Sequence, residues 1–216
     1  MSGDNNPEYV AFAGARQLAL GTLRDVALTA RAFSRQDPFS QILIFDDRTS
    51  QRIEMDFGRT EAELFRRVEE IEAATPSTQE DATPQEGPRG PGRPKLGVLA
   101  REVTLLPRHW DWLASQPGGA SVALRKLVEA ARRTNKEADR LRAAREAAYR
   151  FISTMAGNEA GFEEAARALF AGDGGRFQKL VELWPADVAR HAKRLAARTW
   201  PEVQTGMDAQ TGPDRP

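Results

Sequence analysis

The 216-residue chain contains no cysteine. Disulfides, thiolate nucleophiles and cysteine-ligated metals are therefore excluded. Histidine is almost as scarce, with only His109 and His191. Neither has a metal-ligand partner at i+3 or i+4, so no metal site is expected. Apolar runs are short everywhere, and none approaches the roughly 18 residues that a membrane-spanning helix needs. The opening Met1-Ser2-Gly3-Asp4-Asn5-Asn6-Pro7 has neither a basic start nor an apolar stretch. No signal peptide is expected, and the expected compartment is the cytoplasm. The phosphate-loop pattern ending in Lys-Ser/Thr, G-x-G-x-x-G after a strand, and G-x-S-x-G are all missing. With no catalytic constellation, an enzyme is not expected, and neither is a cofactor.

What is present is unevenly distributed. Residues 1–86 hold 9 Lys/Arg against 16 Asp/Glu, a balance of −7. Residues 87–145 hold 13 against 5, or +8, and residues 146–216 hold 9 against 10, or −1. The zero net charge thus hides a basic middle between acidic flanks. Such a middle fits a polyanion-binding segment, and it also fits long helices with solvated Arg faces.

Residues 8–74 read as a small α/β unit. Tyr9-Val10-Ala11-Phe12 and Gln17-Leu18-Ala19-Leu20 are strand candidates separated by a Gly14-Ala15 turn. Thr22 can cap a helix with Leu23, Val26, Ala27, Ala30 and Phe33 on one face, closed by Asp37-Pro38. Ile42 to Phe45 is a buried-strand run, and Asp46 to Ser50 is a turn. Asp46-Asp47 could be a carboxylate pair for chemistry, but a turn accounts for it better. Ile53, Met55 and Phe57 alternate with Glu54 and Asp56, as in a half-buried strand. Thr60-Glu61-Ala62-Glu63 is a capping box opening a helix with Leu64, Phe65, Val68 and Ile71 buried. The fold class is α+β, with a ββαββα order in the N-terminal unit.

Residues 75–95 form a Pro/Gly-rich linker whose end, Gly92-Arg93-Pro94-Lys95, is basic. An extended run follows from Val98 to Leu106, ended by Pro107. Next comes a helix expected to bury Trp110, Leu113 and Ala114, then the break Pro117-Gly118-Gly119. A helix from about Ser121 is expected to bury Val122, Leu124, Leu127, Val128 and Ala131. Because no Gly or Pro occurs from Ala120 to Ala156, this helix either continues as one rod or bends near Thr134-Asn135. Leu141, Ala144, Ala148, Phe151 and Met155 repeat at 3-4 spacing, a helix-packing seam. Further helices hold Phe162, Ala165, Leu169 and Phe170, then Phe177, Leu180, Val181 and Trp184, then a last one from Pro185 to Trp200. The helical region spans 135–200, and a disordered tail is expected over 201–216.

The stretch REVTLLPRHWDWLASQPGGASVALRKLVEAARR, inside residues 96–134, resembles the ribbon–helix–helix fold of bacterial repressors and antitoxins. That resemblance implies a homodimer, because one chain cannot bury its own apolar faces. It also implies double-stranded DNA as partner, with a two-stranded ribbon in the major groove. The turn before the second helix would hold a phosphate, here through Gly119 and Ser121. Arg101 would be the one strong base reader on the ribbon, since Val103 and Leu105 can touch only thymine methyls. Arg125 and Lys126 lie on the polar side of the second helix. Arg93, Pro94 and Lys95 resemble the Gly-Arg-Pro core of minor-groove arms, although Pro91 stands where such arms carry a second Arg. The alternative is a dimeric protein-interaction scaffold that binds no DNA. The chain as a whole, through GRPKLGVLAREVTLLPRHWDWLASQPGGASVALRKLVEAARR, AYRFISTMAGN, ARALFAGD and WPADVARHAKRLA, resembles the bacterial family called domain of unknown function 2239. That resemblance implies no activity.

Overall fold

The computed structural model describes residues 8–74 and 101–200. Arg93, Pro94, Lys95, the linker, the first residues of the extended run and the tail lie outside the described residues. The elements run β1 (Tyr9–Ala13), β2 (Arg16–Gly21), α1 (Leu23–Gln36), β3 (Ile42–Asp46), β4 (Arg52–Ile53), α2 (Glu61–Ala74), α3 (Pro107–Ala114), α4 (Gly119–Met155), α5 (Phe162–Ala171), α6 (Gly174–Val181) and α7 (Ala186–Ala197). The expected ββαββα order is therefore present, followed among the described residues by helices alone.

The four strands form one antiparallel sheet in the order β2-β1-β3-β4. β1 is central, and its residues are buried at every position. A strand covered on both faces reads as a continuous apolar run rather than an alternating one, as Tyr9-Val10-Ala11-Phe12-Ala13 does. Alternation along the pleat still sorts the side chains. Val10 and Phe12, with Phe45 beside Val10 in register, join Ala148, Phe151, Ile152, Leu169, Phe177, Val188 and Leu195 of α4 to α7 in one core. The opposite face is covered by α1 through Leu23, Val26, Ala27 and Ala30. The N-terminal and C-terminal segments, far apart in sequence, thus share a single core.

The helix ends form as their caps dictate. The Thr22 hydroxyl accepts from the Asp25 amide at 3.2 Å. Thr60 and Glu63 make the reciprocal capping box: the Thr60 amide donates to Glu63 Oε2 at 3.0 Å, and the Glu63 amide to Thr60 Oγ1 at 3.4 Å. α2 is tied to α1 by Arg31, which donates to Glu61 at 3.1 Å and to the Arg59 carbonyl, and by Arg24 stacked on the Phe65 ring.

Three expectations need correction. β4 is only two residues long, so Glu54 to Asp56 lie outside the ladder although their in–out alternation persists. Residues 101–106 form no strand. Of the residues expected to be buried around the Gly-Gly turn, only Leu113 is; Trp110, Ala114, Leu127, Val128 and Ala131 are exposed, and Val122 and Leu124 are half-buried. α3, with eight residues, is too short to cover them. α4 runs unbroken through Thr134-Asn135, the first of the two expected courses.

Ile71–Glu137 forms one compact unit, and the chain on either side of it forms the other. Among the described residues, no helix is long and apolar enough to cross a membrane.

Candidate functional site

The Ile71–Glu137 unit carries the basic segment. α3 starts at Pro107, whose fixed φ suits a first helical residue, after Leu106 in an extended conformation. It closes at Ser115, whose hydroxyl donates to the Trp112 carbonyl at 2.8 Å. Gly118 and Gly119 then take φ of 85° and 74°. Only glycine adopts this left-handed region without strain, and a Cβ on Gly118 would also press on Val122 at 3.2 Å. The sequence Gly118-Gly119 is thus what lets the chain reverse from α3 into α4.

The Gly119 amide donates to the Gln116 carbonyl at 3.0 Å, so it is used within the turn. Ala120 and Ser121 follow in the first turn of α4, where amides lack helical acceptors. Ser121 is exposed, and its carbonyl accepts from Arg125 Nε at 3.2 Å. Arg125 and Lys126 are exposed. Gly119, Ser121, Arg125 and Lys126 therefore gather within two turns at one helix end. Arg101 is exposed on the irregular segment before α3 and makes no hydrogen bond or ion pair among the described residues. Arg132 and Arg133 are paired with Glu129 at 3.7 and 3.3 Å.

Around this turn lies uncovered apolar surface. Val103, Leu106, Trp110, Trp112, Leu127 and Val128 retain 42–57% exposure. They are six of the eleven large hydrophobics exposed among the described residues, gathered in 26 positions. Scattered apolar exposure is ordinary; so many large exposed apolar side chains close together in sequence single out this segment.

A second polar constellation sits in the other unit, and sequence reasoning missed it. Asp46 closes the β3–β4 turn by accepting from the Arg48 amide at 2.9 Å and from the Thr49 amide at 2.7 Å, as expected for a turn aspartate. The next residue has a different task. Asp47 is buried, and its carboxylate accepts from Arg194 and from Arg198 Nη2, the latter at 2.5 Å. Arg198 also donates to the Asp47 carbonyl at 2.7 Å. His191 Nε2 lies 3.6 Å from Asp47, too far for a hydrogen bond.

His191 is buried between the Phe12 and Phe151 rings. Burial and the Arg194 guanidinium push its pKa down to about 4, against the opposing pull of Asp47. It is therefore neutral near pH 7. Arg194 Nη2 lies 3.3 Å from Nδ1, and because Arg can only donate, Nδ1 is the unprotonated nitrogen. The cluster pins α7 to the β3–β4 turn. The legible signal was the spacing: His191, Arg194 and Arg198 fall at i, i+3 and i+7, one helix face. The Asp47 carboxylate is thus fully engaged by the two guanidinium groups, while the buried His191 Nε2 has no hydrogen-bond partner.

A cleft of about 460 Å³ between residues 54–59 and α2 is lined by both signs of charge. Arg59 pairs with Asp56, and Arg66 and Arg67 both reach Glu70. Among the described residues no cluster of His, Asp and Glu could hold a metal. His109 is exposed at the start of α3.

A family model described as "Uncharacterized protein conserved in bacteria (DUF2239)" matches residues 8–196. No curated protein and no solved structure matches the chain.

Proposed function

For a chain that belongs to the DUF2239 family conserved in bacteria, we propose a non-enzymatic, homodimeric DNA-binding protein of the transcriptional-regulator kind. The observation that carries this reading is the pairing of two features in one short stretch. Val103, Leu106, Trp110, Trp112, Leu127 and Val128 are left uncovered, and Arg101, Arg125 and Lys126 are exposed among them.

A second chain supplies the missing cover. Residues 98–106 of the two copies pair as the ribbon of a ribbon–helix–helix unit, which satisfies the edge that a single chain leaves open. The +8 balance of residues 87–145 then faces phosphate. The amides of Ala120 and Ser121 hold a phosphate at the start of α4, with Gly119 allowing close approach and Arg125 and Lys126 beside them. Arg101 reads from the ribbon, and Arg93-Pro94-Lys95 extends into the adjacent minor groove.

A second reading has its own support. With Val103 half-exposed on the outward side, the ribbon offers few polar readers. That favours a dimeric scaffold whose helices bind protein instead.

Fluorescence anisotropy with mixed-sequence and A·T-rich duplexes, titrated across salt, separates the two. DNA binding predicts affinity that falls steeply with salt and drops when Arg93, Lys95 and Arg101 become Ala. No binding at low salt removes DNA and leaves the scaffold.

A further inference from the structure

The last turns of α4 hold a cation without an anion. Arg145 is half-buried. Its Nε is closed off from solvent with no hydrogen-bond partner, and among the described residues the side chain makes no hydrogen bond or ion pair. Nearby arginines of α4 and α5 are engaged. Arg142 pairs with Asp139 at 3.0 Å, Arg167 with Glu164 at 3.5 Å, and Arg150 donates to the Thr49 carbonyl. Arg145 sits instead at the end of α5, with Nη2 4.0 Å from where a Cβ on Gly172, the residue that closes that helix, would stand. The negative end of a helix attracts a guanidinium. Its five donors still lack an acceptor, and donors half-removed from water without acceptors are destabilising.

Beside this cation lies a floor of three rings. Tyr149 follows Arg145 by one helical turn on the same side of α4. It packs on two rings of α5: Phe170, with centroids 5.4 Å apart, and Phe162 at 6.4 Å with the planes 29° apart. Tyr149 keeps 40% and Phe170 51% exposure, and Phe162 is half-buried. Phe170 is also only two residues from Gly172, so rings and cation share one end of α5. All of these residues belong to the same compact unit.

The charges choose the occupant. One cation without a partner calls for one negative group, and a carboxylate can take two parallel bonds from a guanidinium. A polyanion fits poorly, because Glu146 and Glu163, next in sequence to Arg145 and Phe162, are exposed. The openness of the rings chooses between a free small molecule and a protein segment. Small-ligand sites enclose most of their ligand, whereas an exposed Tyr beside an Arg is the composition of a protein-interface hot spot.

We propose that Arg145, Tyr149, Phe162 and Phe170 form a docking site for a partner-protein segment that places a carboxylate next to an aromatic side chain. The carboxylate meets the Arg145 guanidinium, and the partner's ring lies against Tyr149 and Phe170. This site stands apart from the basic segment and does not rest on the DNA reading.

The test is selection of a displayed library of random peptides on the full chain, followed by fluorescence anisotropy of the strongest peptide. Enriched peptides are expected to carry Phe, Tyr or Trp beside Asp or Glu. Replacing that acid by its amide is expected to weaken binding about tenfold, as is Arg145→Gln in the protein. The two changes together are expected to cost no more than either alone, because they remove the same pair. Tyr149→Ala, at an exposed position, is expected to weaken the acidic and the amide peptide alike. Circular dichroism of both variants is expected to match the parent chain. No enrichment, enriched peptides without the aromatic–acid pair, or affinities that neither substitution changes would overturn the site.

Discussion

The buried histidine predicts a stability that depends on pH in a window where little else titrates. Folding holds His191 neutral, with its pKa pushed down to about 4 by burial and by Arg194. In the unfolded chain the same imidazole returns to about 6.5. Below that value the unfolded state takes up a proton that the folded state refuses, so acid favours unfolding. Stability is therefore full above about pH 6.5 and is lost progressively as the pH falls toward about 4. Between about pH 7.5 and about pH 5 the loss spans about 1.5 pH units at about 1.36 kcal/mol each, or about 2 kcal/mol.

The assay is urea unfolding, followed by circular dichroism, at several pH values across that range. The control is His191→Gln, which keeps a hydrogen-bonding side chain between Phe12 and Phe151 and removes the titration. The expected result is a midpoint that falls with pH in the parent chain and changes far less in the variant. Equal pH dependence in both, or a parent midpoint that stays flat, would refute the assignment of a neutral, desolvated imidazole beside Asp47.

Asp47→Ala deprives Arg194 and Arg198 of their buried acceptor; a loss of about 2–4 kcal/mol is expected by thermal or urea unfolding, below the full cost of breaking a buried pair because both guanidinium groups reach solvent. Phe151→Ala opens the core where Phe12, Phe45 and His191 meet, and about 3–5 kcal/mol should be lost, measured by the shift in urea midpoint. Thr60→Ala removes one half of the capping box at an exposed helix start and should cost only about 1 kcal/mol by the same measurement.

Much of the fold was legible because its signals are local. Thr22 and the Thr60–Glu63 box start helices through bonds to amides three residues away, so a short window contains the whole cause. The Asp46 turn is equally local. Asp47, one residue later, was not legible in the same way. Its partners are about 150 positions distant, and nothing in Asp46-Asp47-Arg48 distinguishes the turn-former from the carboxylate that anchors a remote helix. β4 was read too long because alternation reports which side chains are half-covered, a condition that Met55 and Phe57 meet without ladder bonds.

The candidate site divides along the same line. The need for glycine at Gly118-Gly119 and the basic balance of the middle segment are properties of the sequence itself. Sequence also left two courses open for α4, and both agree with a stretch free of Gly and Pro. Periodicity marked Leu127, Val128 and Ala131 as burial-seeking without saying what would bury them. Tertiary structure decided that they stay exposed, because α3, eight residues long, is too short to reach them. Local bonding and hydrophobic period are written in neighbouring residues; burial is a relation between surfaces, and it exists only once those surfaces have met.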